Sequence, residues 1–397
     1  MLYKIFRTLK SILIINFKII YFKIINSKKK ILIFYHPKKK LTNISVDHIE
    51  FLFSKNNKLN VIFCIGHEDA NFTLNNYFFV SQRFLHFLPL VDFFLSSYVC
   101  DNFPKNCKKI YIHHDIYDTP VVDNKIQKNF LMRLKKYDFI LLPNQISINY
   151  FKIILKKNKI KNKLVFENVG YLKLQYLKKI KKIKSLNLNK VVIAPTNIHS
   201  FGNLTIYPNI RKIISFLLNN TNYNIVLRPH PSNREDSKFL KIKKIFENNS
   251  RFTFDDKKNY YQNYLTSDFM ITDMSGTAYT YSFFTYKPVI FFVNLQEIKK
   301  KGFQKLNYFK NIKKIGYQTN NLSKLKNIIK KMKRNNRFKL RKIVDLESKI
   351  FSVKNSIMKF LFPLALKLSL FHCTLIQIAD TSDDYRKNES FFGWKYC

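Results

Sequence analysis

Short apolar runs, each followed by a polar turn, recur along the first half of the chain. They are "ILIFYHP" (31–37), "LNVIFCIG" (59–66), "KKIYIHHD" (108–115) and "YDFILLPN" (137–144). Runs of this length are typical of buried strands, and the segments between them are long enough for helical or mixed connections. The alternation of short strands with longer connections predicts a parallel sheet.

A second series of the same kind occupies residues 190–294. Its apolar runs are "KVVIAPTN" (190–197), "YNIVLRPHP" (223–231), "DFMITDMSG" (268–276) and "KPVIFFVN" (287–294). Ligands of open α/β sheets bind at the carboxyl ends of the strands. The turns that follow these four runs are therefore the first places to search for a functional site.

The lysine-rich stretch "LKKIKKIKSLNLNK" (177–190) separates the two series. A chain of 397 residues is long enough for two domains of ordinary size. We therefore predict an α/β protein with an N-terminal domain over residues 28–176, a linker over 177–190 and a C-terminal domain over 191–345. Residues 346–397 are predicted to form a helical region and a tail, to which we assign no role.

The first 27 residues are apolar but carry basic residues throughout, and no uncharged run among them is long enough to span a bilayer. In a helix, Lys4, Arg7, Ser11 and Lys18 would share one face, which is typical of a basic amphipathic helix on an anionic membrane. Two alternatives are a helix packed on the protein's own core and a strand. A cleaved signal peptide is disfavoured, because no small-residue cleavage site follows.

The composition favours a folded protein with anionic partners. Hydrophobic residues make up 46% of the chain, which can bury a sizeable core. The 71 Lys and Arg against 25 Asp and Glu give a net charge of +46, which favours phosphorylated substrates, acidic lipid or nucleic acid. No RNA-binding or helix-turn-helix motif accompanies this charge, so we predict no nucleic-acid partner. The five cysteines follow no zinc or disulfide spacing and fit a reducing cytosol.

The turn "RPHP" places Arg228 and His230 directly after the apolar run "NIVL". The two prolines fix the backbone φ on alternate residues and stiffen the turn. Arginine can hold a phosphate with two parallel hydrogen bonds, and histidine can donate to a phosphoryl oxygen or transfer a proton near neutral pH. The alternative is an ordinary loop that happens to contain both residues.

A second candidate turn, "TDMSGT", follows the run at 268–272. Ser275, Gly276 and Thr277 would lie where a helix begins, and the free backbone N–H groups there attract anions. Asp273 could orient a substrate hydroxyl, a lysine or a metal. The alternative is a helix-capping cluster without a ligand.

Read together, "APT", "RPHP" and "SD..ITD.SG…KPVIFF" resemble, in order and spacing, the CDP-glycerol:glycerophosphate glycerophosphotransferase family of teichoic-acid and capsule polymerases. The resemblance covers roughly residues 105–295 and is strongest from 190 to 295. In the first half, "KIYIHHDIYDTP" is similar to the family's strand that ends in a histidine-containing turn, and "NVGYLKL" to its "GYPR.D" turn.

The resemblance implies a glycosyltransferase-B-type fold, in which two Rossmann-like domains face each other across a cleft and the second binds the CDP-alcohol. It implies that Arg228 and His230 contact the pyrophosphate and that Ser275 and Thr277 bind phosphate or glycerol. It also makes one of the adjacent residues His113 and His114 the candidate general base.

The chain departs from the family pattern at several positions. Ser275-Gly276 replaces a Ser-Ser pair, and His113-His114-Asp115 replaces a His-Gly turn. The resemblance thus predicts a transferase that moves a glycerophosphate-type phosphoalcohol from a CDP-linked donor to a lipid-linked or surface-glycan acceptor, in teichoic-acid or capsule synthesis. One alternative is a nucleotide-sugar glycosyltransferase of capsule or lipooligosaccharide synthesis. Another is a basic binding protein without catalysis.

The expected partners follow from that function. They are a CDP-alcohol or nucleotide-sugar donor, a lipid-linked glycan acceptor and an anionic membrane surface. We expect a peripheral protein on the cytoplasmic face of the inner membrane. The sequence specifies no cofactor; a divalent cation could accompany a pyrophosphate donor, but no metal-binding motif is present.

Overall fold

The computed structural model describes residues 2–26, 28–36, 59–66, 77–113, 115–117, 124–160, 164–180, 189–201, 204–257, 260–334 and 336–351. Within these ranges the chain forms two parallel β-sheets with helices packed on them. The prediction of an α/β protein built on parallel sheets is confirmed. The second predicted histidine of the first half, His114, and the tail beyond residue 351 lie outside the described residues.

The first sheet has seven strands in the order β3-β2-β1-β4-β5-β6-β7, and all neighbours run parallel. The strands are β1 (Lys30–His36), β2 (Leu59–Ile65), β3 (Tyr77–Phe79), β4 (Phe93–Ser96), β5 (Lys108–Ile112), β6 (Phe139–Leu142) and β7 (Val165–Asn168). The helices of this half are α1 (Leu2–Ile25), α2 (Asn124–Leu134), α3 (Gln145–Lys157) and α4 (Leu172–Ile180), with a 3-10 helix at Gln82–Phe87.

The second sheet has six parallel strands in the order β10-β9-β8-β11-β12-β13. They are β8 (Lys190–Ile193), β9 (Asn224–Leu227), β10 (Phe252–Phe254), β11 (Phe269–Thr272), β12 (Val289–Phe292) and β13 (Gly316–Thr319). The helices are α5 (Ile198–Phe201), α6 (Tyr207–Asn220), α7 (Ser237–Phe246), α8 (Tyr261–Thr266), α9 (Thr277–Thr285), α10 (Leu295–Lys300), α11 (Asn307–Ile315), α12 (Leu322–Arg334) and α13 (Asn336–Ile350). Short 3-10 helices lie at Pro231–Asn233 and Phe303–Lys305.

Both sheets have the strand order of a doubly wound nucleotide-binding fold. In each half the chain moves outward through three strands, returns to the middle and continues in the other direction. In the second sheet the order reverses between β8 and β11. Folds of this kind bind their ligands at such a switch point, outside the carboxyl ends of the strands.

One of the hydrophobic clusters contains residues of both halves. Ile116 and Tyr117, which follow β5, are buried in the same cluster as Tyr279 of α9. The rings of Tyr117 and Tyr279 meet edge to face with their centroids 4.6 Å apart, and the Asn311 side-chain amide donates to the Tyr117 hydroxyl at 3.1 Å. This contact places the carboxyl end of β5 against the start of α9. The domain boundaries stay predictions, and α4 continues to residue 180, inside the predicted linker.

Helix α1 packs on the first sheet through Ile12, Ile15 and Ile19, which are buried with residues of β1 and β2. The segment is thus a helix and not a strand. Of the predicted basic face, Lys4, Arg7 and Lys18 are exposed. Ser11 is buried, and the guanidinium of Arg7 lies 5.7 Å from the ring centroid of Phe79. Among the residues that the structure describes, no helix is long and apolar enough to cross a membrane.

Candidate active site

The candidate site lies where the turns after β8, β9 and β11 meet the start of α9 and the turn after β5. Asp273 follows β11 directly and is fully buried. Its carboxylate accepts hydrogen bonds from the backbone N–H of Thr196, at 2.9 Å, and of Ile206, at 2.8 Å. Burial raises the pKa of Asp273 to about 6, against the lowering effect of these bonds. The residue ties the loop between β8 and α6 to the end of β11, and a ligand contact for it stays a prediction.

Two tyrosine hydroxyls hold the turn that starts α9. The Tyr308 hydroxyl donates to the carbonyl oxygen of Ser275 at 2.9 Å, and the Thr277 and Tyr264 hydroxyls are 2.6 Å apart. Gly276 is the N-cap residue, so no side chain caps the helix. The first backbone N–H groups of α9 form the positive end of the helix dipole.

Asp115 from the first half reaches this helix end, and the sequence did not single it out as a site residue. A Cβ built on Gly276 would lie only 2.9 Å from the Asp115 Oδ1 atom. Burial, and then the negative charge of Asp115, raise the pKa of Tyr98 to about 12. This contact connects two departures from the family pattern, Gly276 in place of a serine and Asp115 in the turn after β5. The absent side chain at Gly276 leaves space for the Asp115 carboxylate.

His113 belongs to an aromatic layer of the first half. Its Nδ1 atom lies 3.2 Å from the Tyr111 hydroxyl, and its ring meets that of Phe151 edge to face at 5.1 Å. The ring is partly buried on the side of the sheet that α3 covers. Its assignment as general base stays a prediction, and so does the assignment of its neighbour, which lies outside the described residues.

Arg228 of the "RPHP" turn is buried and paired. Its Nη1 atom donates to the Asp255 carboxylate at 2.8 Å and to the Lys257 carbonyl oxygen at 3.0 Å. Its guanidinium also lies over the ring of Tyr260, 5.2 Å from the centroid. Arg228 therefore joins the end of β9 to the end of β10. The amine of Lys173 in α4 lies 5.2 Å from the same tyrosine ring, which brings the first half to this point.

His230 lies at the start of the 3-10 helix that follows β9. Its Nδ1 atom accepts a hydrogen bond from the Ser232 backbone N–H at 3.2 Å. In the neutral ring, Nε2 then carries the hydrogen, so that the ring presents a donor on its other side. The flanking prolines hold this orientation, as the sequence predicts.

The described side chains contain no group of three or more His, Cys, Asp or Glu residues that could hold a metal ion. The chemistry of the described site consists instead of backbone N–H groups at α9, the ring of His230, cationic side chains near Tyr260 and one carboxylate from the first half. A set dominated by hydrogen-bond donors suits a phosphorylated ligand.

Solved structures share this fold at low sequence identity. The wall teichoic acid polymerase TagF matches with a TM-score of 0.60 and 15% identity, over 92% of this chain and 97% of that one. A histidine-to-asparagine variant of TagF soaked with CDPG gives 0.58 and 18%, over 92% and 96%. The UDP-GlcNAc 2-epimerase of Methanocaldococcus jannaschii, in complex with UDP-GlcNAc and UDP, gives 0.53 and 12%, over 81% and 99%.

A comparison with curated protein sequences finds no match. The sequence does match the family model of CDP-Glycerol:Poly(glycerophosphate) glycerophosphotransferase, over residues 110–357. The matched region begins within β5 and contains the whole second sheet, and therefore every candidate turn described above. Since it spans more than half of the chain, the protein belongs to this glycerophosphotransferase family and is an enzyme of that kind.

Proposed function

We propose that the enzyme transfers a glycerophosphate-type phosphoalcohol from a CDP-linked donor to a lipid-linked or surface-glycan acceptor, in the synthesis of a teichoic-acid or capsule polymer. One observation carries the proposal. The strands β9 and β11 are the two neighbours of β8, and the turns after both of them carry hydrogen-bond donors beside the switch point. The strands β9 and β11 are two positions apart in the sheet, roughly 10 Å. A pyrophosphate and its flanking groups can bridge that distance.

In the proposed reaction, an acceptor hydroxyl oxygen attacks the phosphorus that carries the alcohol. The bond from this phosphorus to the bridging oxygen of CMP breaks, CMP leaves, and a phosphodiester forms. His230 Nε2–H and the backbone N–H groups of residues 275–277 would bind the phosphoryl oxygens and the leaving phosphate as charge develops. The acceptor's proton would pass to His113 or His114, the candidate bases of the first half.

The outer face of α1 supports a peripheral membrane location. Tyr3, Phe6, Phe17 and Ile24 are each about 70% exposed or more, although the opposite face of the helix is packed on the sheet. Lysines lie along the same helix, and the chain as a whole carries a net charge of +46. An exposed apolar face with cations beside it is typical of a helix that lies in an anionic membrane surface. We place that surface on the cytoplasmic side of the inner membrane, where a lipid-linked acceptor would be within reach.

The alternative donor is a nucleotide sugar. The similarity in fold to a UDP-GlcNAc 2-epimerase supports this alternative. The two reactions break different bonds. Phosphoalcohol transfer breaks a P–O bond and releases CMP, whereas sugar transfer breaks a C–O bond and releases a nucleoside diphosphate.

The test is to incubate the enzyme and envelope membranes with CDP-glycerol labelled with ³²P on the phosphate next to glycerol. We expect equal amounts of released CMP and of label in the membrane or polymer fraction, and a large loss of both for His230→Ala. His86→Ala is the matched control, because His86 is exposed on a 3-10 helix of the first half. Turnover of UDP- or GDP-sugars without turnover of CDP-glycerol would reject the proposal.

A further inference from the structure

Arg234 follows His230 and the short helix Pro231–Asn233, so it belongs to the same turn at the end of β9. Its Nε and Nη2 atoms are buried, and no atom in the described ranges accepts a hydrogen bond from either. Burial, and then the positive charge of Arg228, lower the pKa of Arg234. The side chain is therefore a partly desolvated cation within electrostatic range of a second one.

Asp255, a buried carboxylate that acts on the pKa of Arg234, is already paired with Arg228. Asp255 Oδ2 accepts from Arg228 and, at 2.8 Å, from the Asn263 side-chain amide. Its Oδ1 accepts from the Lys257 backbone N–H at 3.1 Å. Asp255 and the exposed Asp256 raise the pKa of Arg234, but by less than burial lowers it. The turn thus has one buried and one partly buried guanidinium that interact with the same buried carboxylate.

Two further polar groups around the end of β9 are buried without a described partner. One is the side-chain Nδ2 of Asn233, whose Oδ1 accepts from the Ile198 backbone N–H at 3.2 Å. The other is the hydroxyl of Tyr260, the ring over which Arg228 lies. All these groups can donate hydrogen bonds. Leaving buried donors unpaired costs free energy, and a bound water, ion or ligand can supply the acceptor.

The unpaired edge of Arg234 has the geometry of a phosphate fork. Nε and Nη2 lie on the same edge of the planar guanidinium, and their hydrogens point in nearly parallel directions. Two oxygens of one phosphate match this edge with two hydrogen bonds. Lysine cannot reproduce such a fork.

We propose that Arg234 binds a phosphate of the donor's pyrophosphate through its Nε–Nη2 edge, whereas Arg228 holds the shape of the turn. The inference rests on the proposed function, because it names the residue that binds the donor's charge. It moves the direct phosphate contact from Arg228, the arginine of "RPHP", to Arg234, six residues later.

The test compares wild type, Arg234→Gln, Arg234→Lys and Arg211→Gln. Arg211→Gln removes the same charge from the exposed face of α6 and is the matched control. Each protein is titrated by calorimetry with inorganic pyrophosphate and with CDP-glycerol, and each is melted without ligand. Arg234→Gln should bind both probes about 10- to 100-fold more weakly, Arg234→Lys should be intermediate, and the control should bind as wild type does.

The melting curves separate a binding role from a structural one. Arg234→Gln should melt at or above the wild-type temperature without ligand, because an unpaired buried cation is removed. A large fall in its melting temperature, or unchanged affinity for both probes, would overturn the assignment of Arg234. If wild type binds pyrophosphate in an Arg234-dependent way but not CDP-glycerol, the proposed function fails and the anion site stands. If wild type binds neither probe, both are overturned.

Discussion

The ends of β5 and β9 each carry a histidine shortly after the strand, but the two strand ends are built differently. After β5, His113 points to the same side of the sheet as Tyr111 and joins the aromatic layer beneath α3. After β9, His230 lies between two prolines and is oriented by the backbone of its own turn. A strand end alone therefore does not decide whether a histidine packs among aromatic rings or is oriented by the backbone of its own turn.

The difference extends to charge. The described end of β5 brings a carboxylate, Asp115, to the start of α9. The end of β9 instead has two arginines: Arg228 is paired with Asp255, and the buried Nε and Nη2 atoms of Arg234 have no hydrogen-bond partner among the described residues. We propose that the second sheet binds the donor and that the first half accepts the proton.

Arg228→Gln should lower the free energy of unfolding by about 3–5 kcal/mol, because it leaves the buried carboxylate of Asp255 without its cation. Denaturant unfolding measures this loss, and Arg211→Gln should change it little. The double variant Arg228→Gln/Asp255→Asn should recover part of the loss. A loss below about 1 kcal/mol for the single variant would mean that the turn does not depend on the pair.

Asp273 should make a pH-dependent contribution to stability. Its pKa is about 6 in the folded protein and about 3.9 in an unfolded chain. Its stabilising contribution is then fully present below about pH 4 and is lost as the pH rises through 6, an effect of about 3 kcal/mol.

The neutral variant Asp273→Asn isolates this effect. The difference in unfolding free energy, wild type minus variant, should fall between pH 4 and pH 7. A constant offset is expected as well, because asparagine has one acceptor oxygen for two backbone N–H groups. A difference that does not change with pH would contradict the prediction.

Phe6→Ser/Phe17→Ser should weaken binding to anionic vesicles by about 2 kcal/mol, because two exposed rings of α1 no longer enter the lipid surface. Co-sedimentation with vesicles of anionic and of neutral lipid measures the binding. The matched control is Leu240→Ser/Ile245→Ser, which removes exposed apolar side chains from α7 in the second half. Equal losses for both pairs would reject α1 as the membrane surface.

Gly276→Ala should cost about 1 kcal/mol, because the new methyl group must displace the Asp115 carboxylate. The backbone φ at Gly276 is −58°, so alanine meets no backbone strain there. Combining it with Asp115→Ala should cost less than the sum of the single changes, as a double-mutant cycle would measure. Strict additivity would mean that the first half does not contact α9 through this pair.

Much of the fold could be predicted from sequence. Each of the eight apolar runs coincides with a strand, and the missed strands include all four at the sheet edges, β3, β7, β10 and β13. Those edge strands have only three or four residues and are partly exposed, so their apolar pattern is weak. The internal strand β4 was also missed.

The site was less predictable, because the direction and the partners of a side chain depend on tertiary structure. The sequence did not indicate that the Asp273 carboxylate accepts hydrogen bonds from two backbone amides, and its predicted ligand contact stays a prediction. Asp115 becomes a site residue only where the two halves pack together. Arg234 stands out only because Arg228 already occupies Asp255, a pairing that no local motif records.

The central claim is that the end of β9 binds a CDP-linked donor, and calorimetric titration with CDP-glycerol tests it most directly. Wild type should bind, His230→Ala should bind about tenfold or more weakly, and His113→Ala should bind as wild type does. UDP, titrated in parallel, should bind more weakly than CDP-glycerol. Loss of donor binding in His113→Ala with full binding in His230→Ala, or a preference for UDP, would contradict the account.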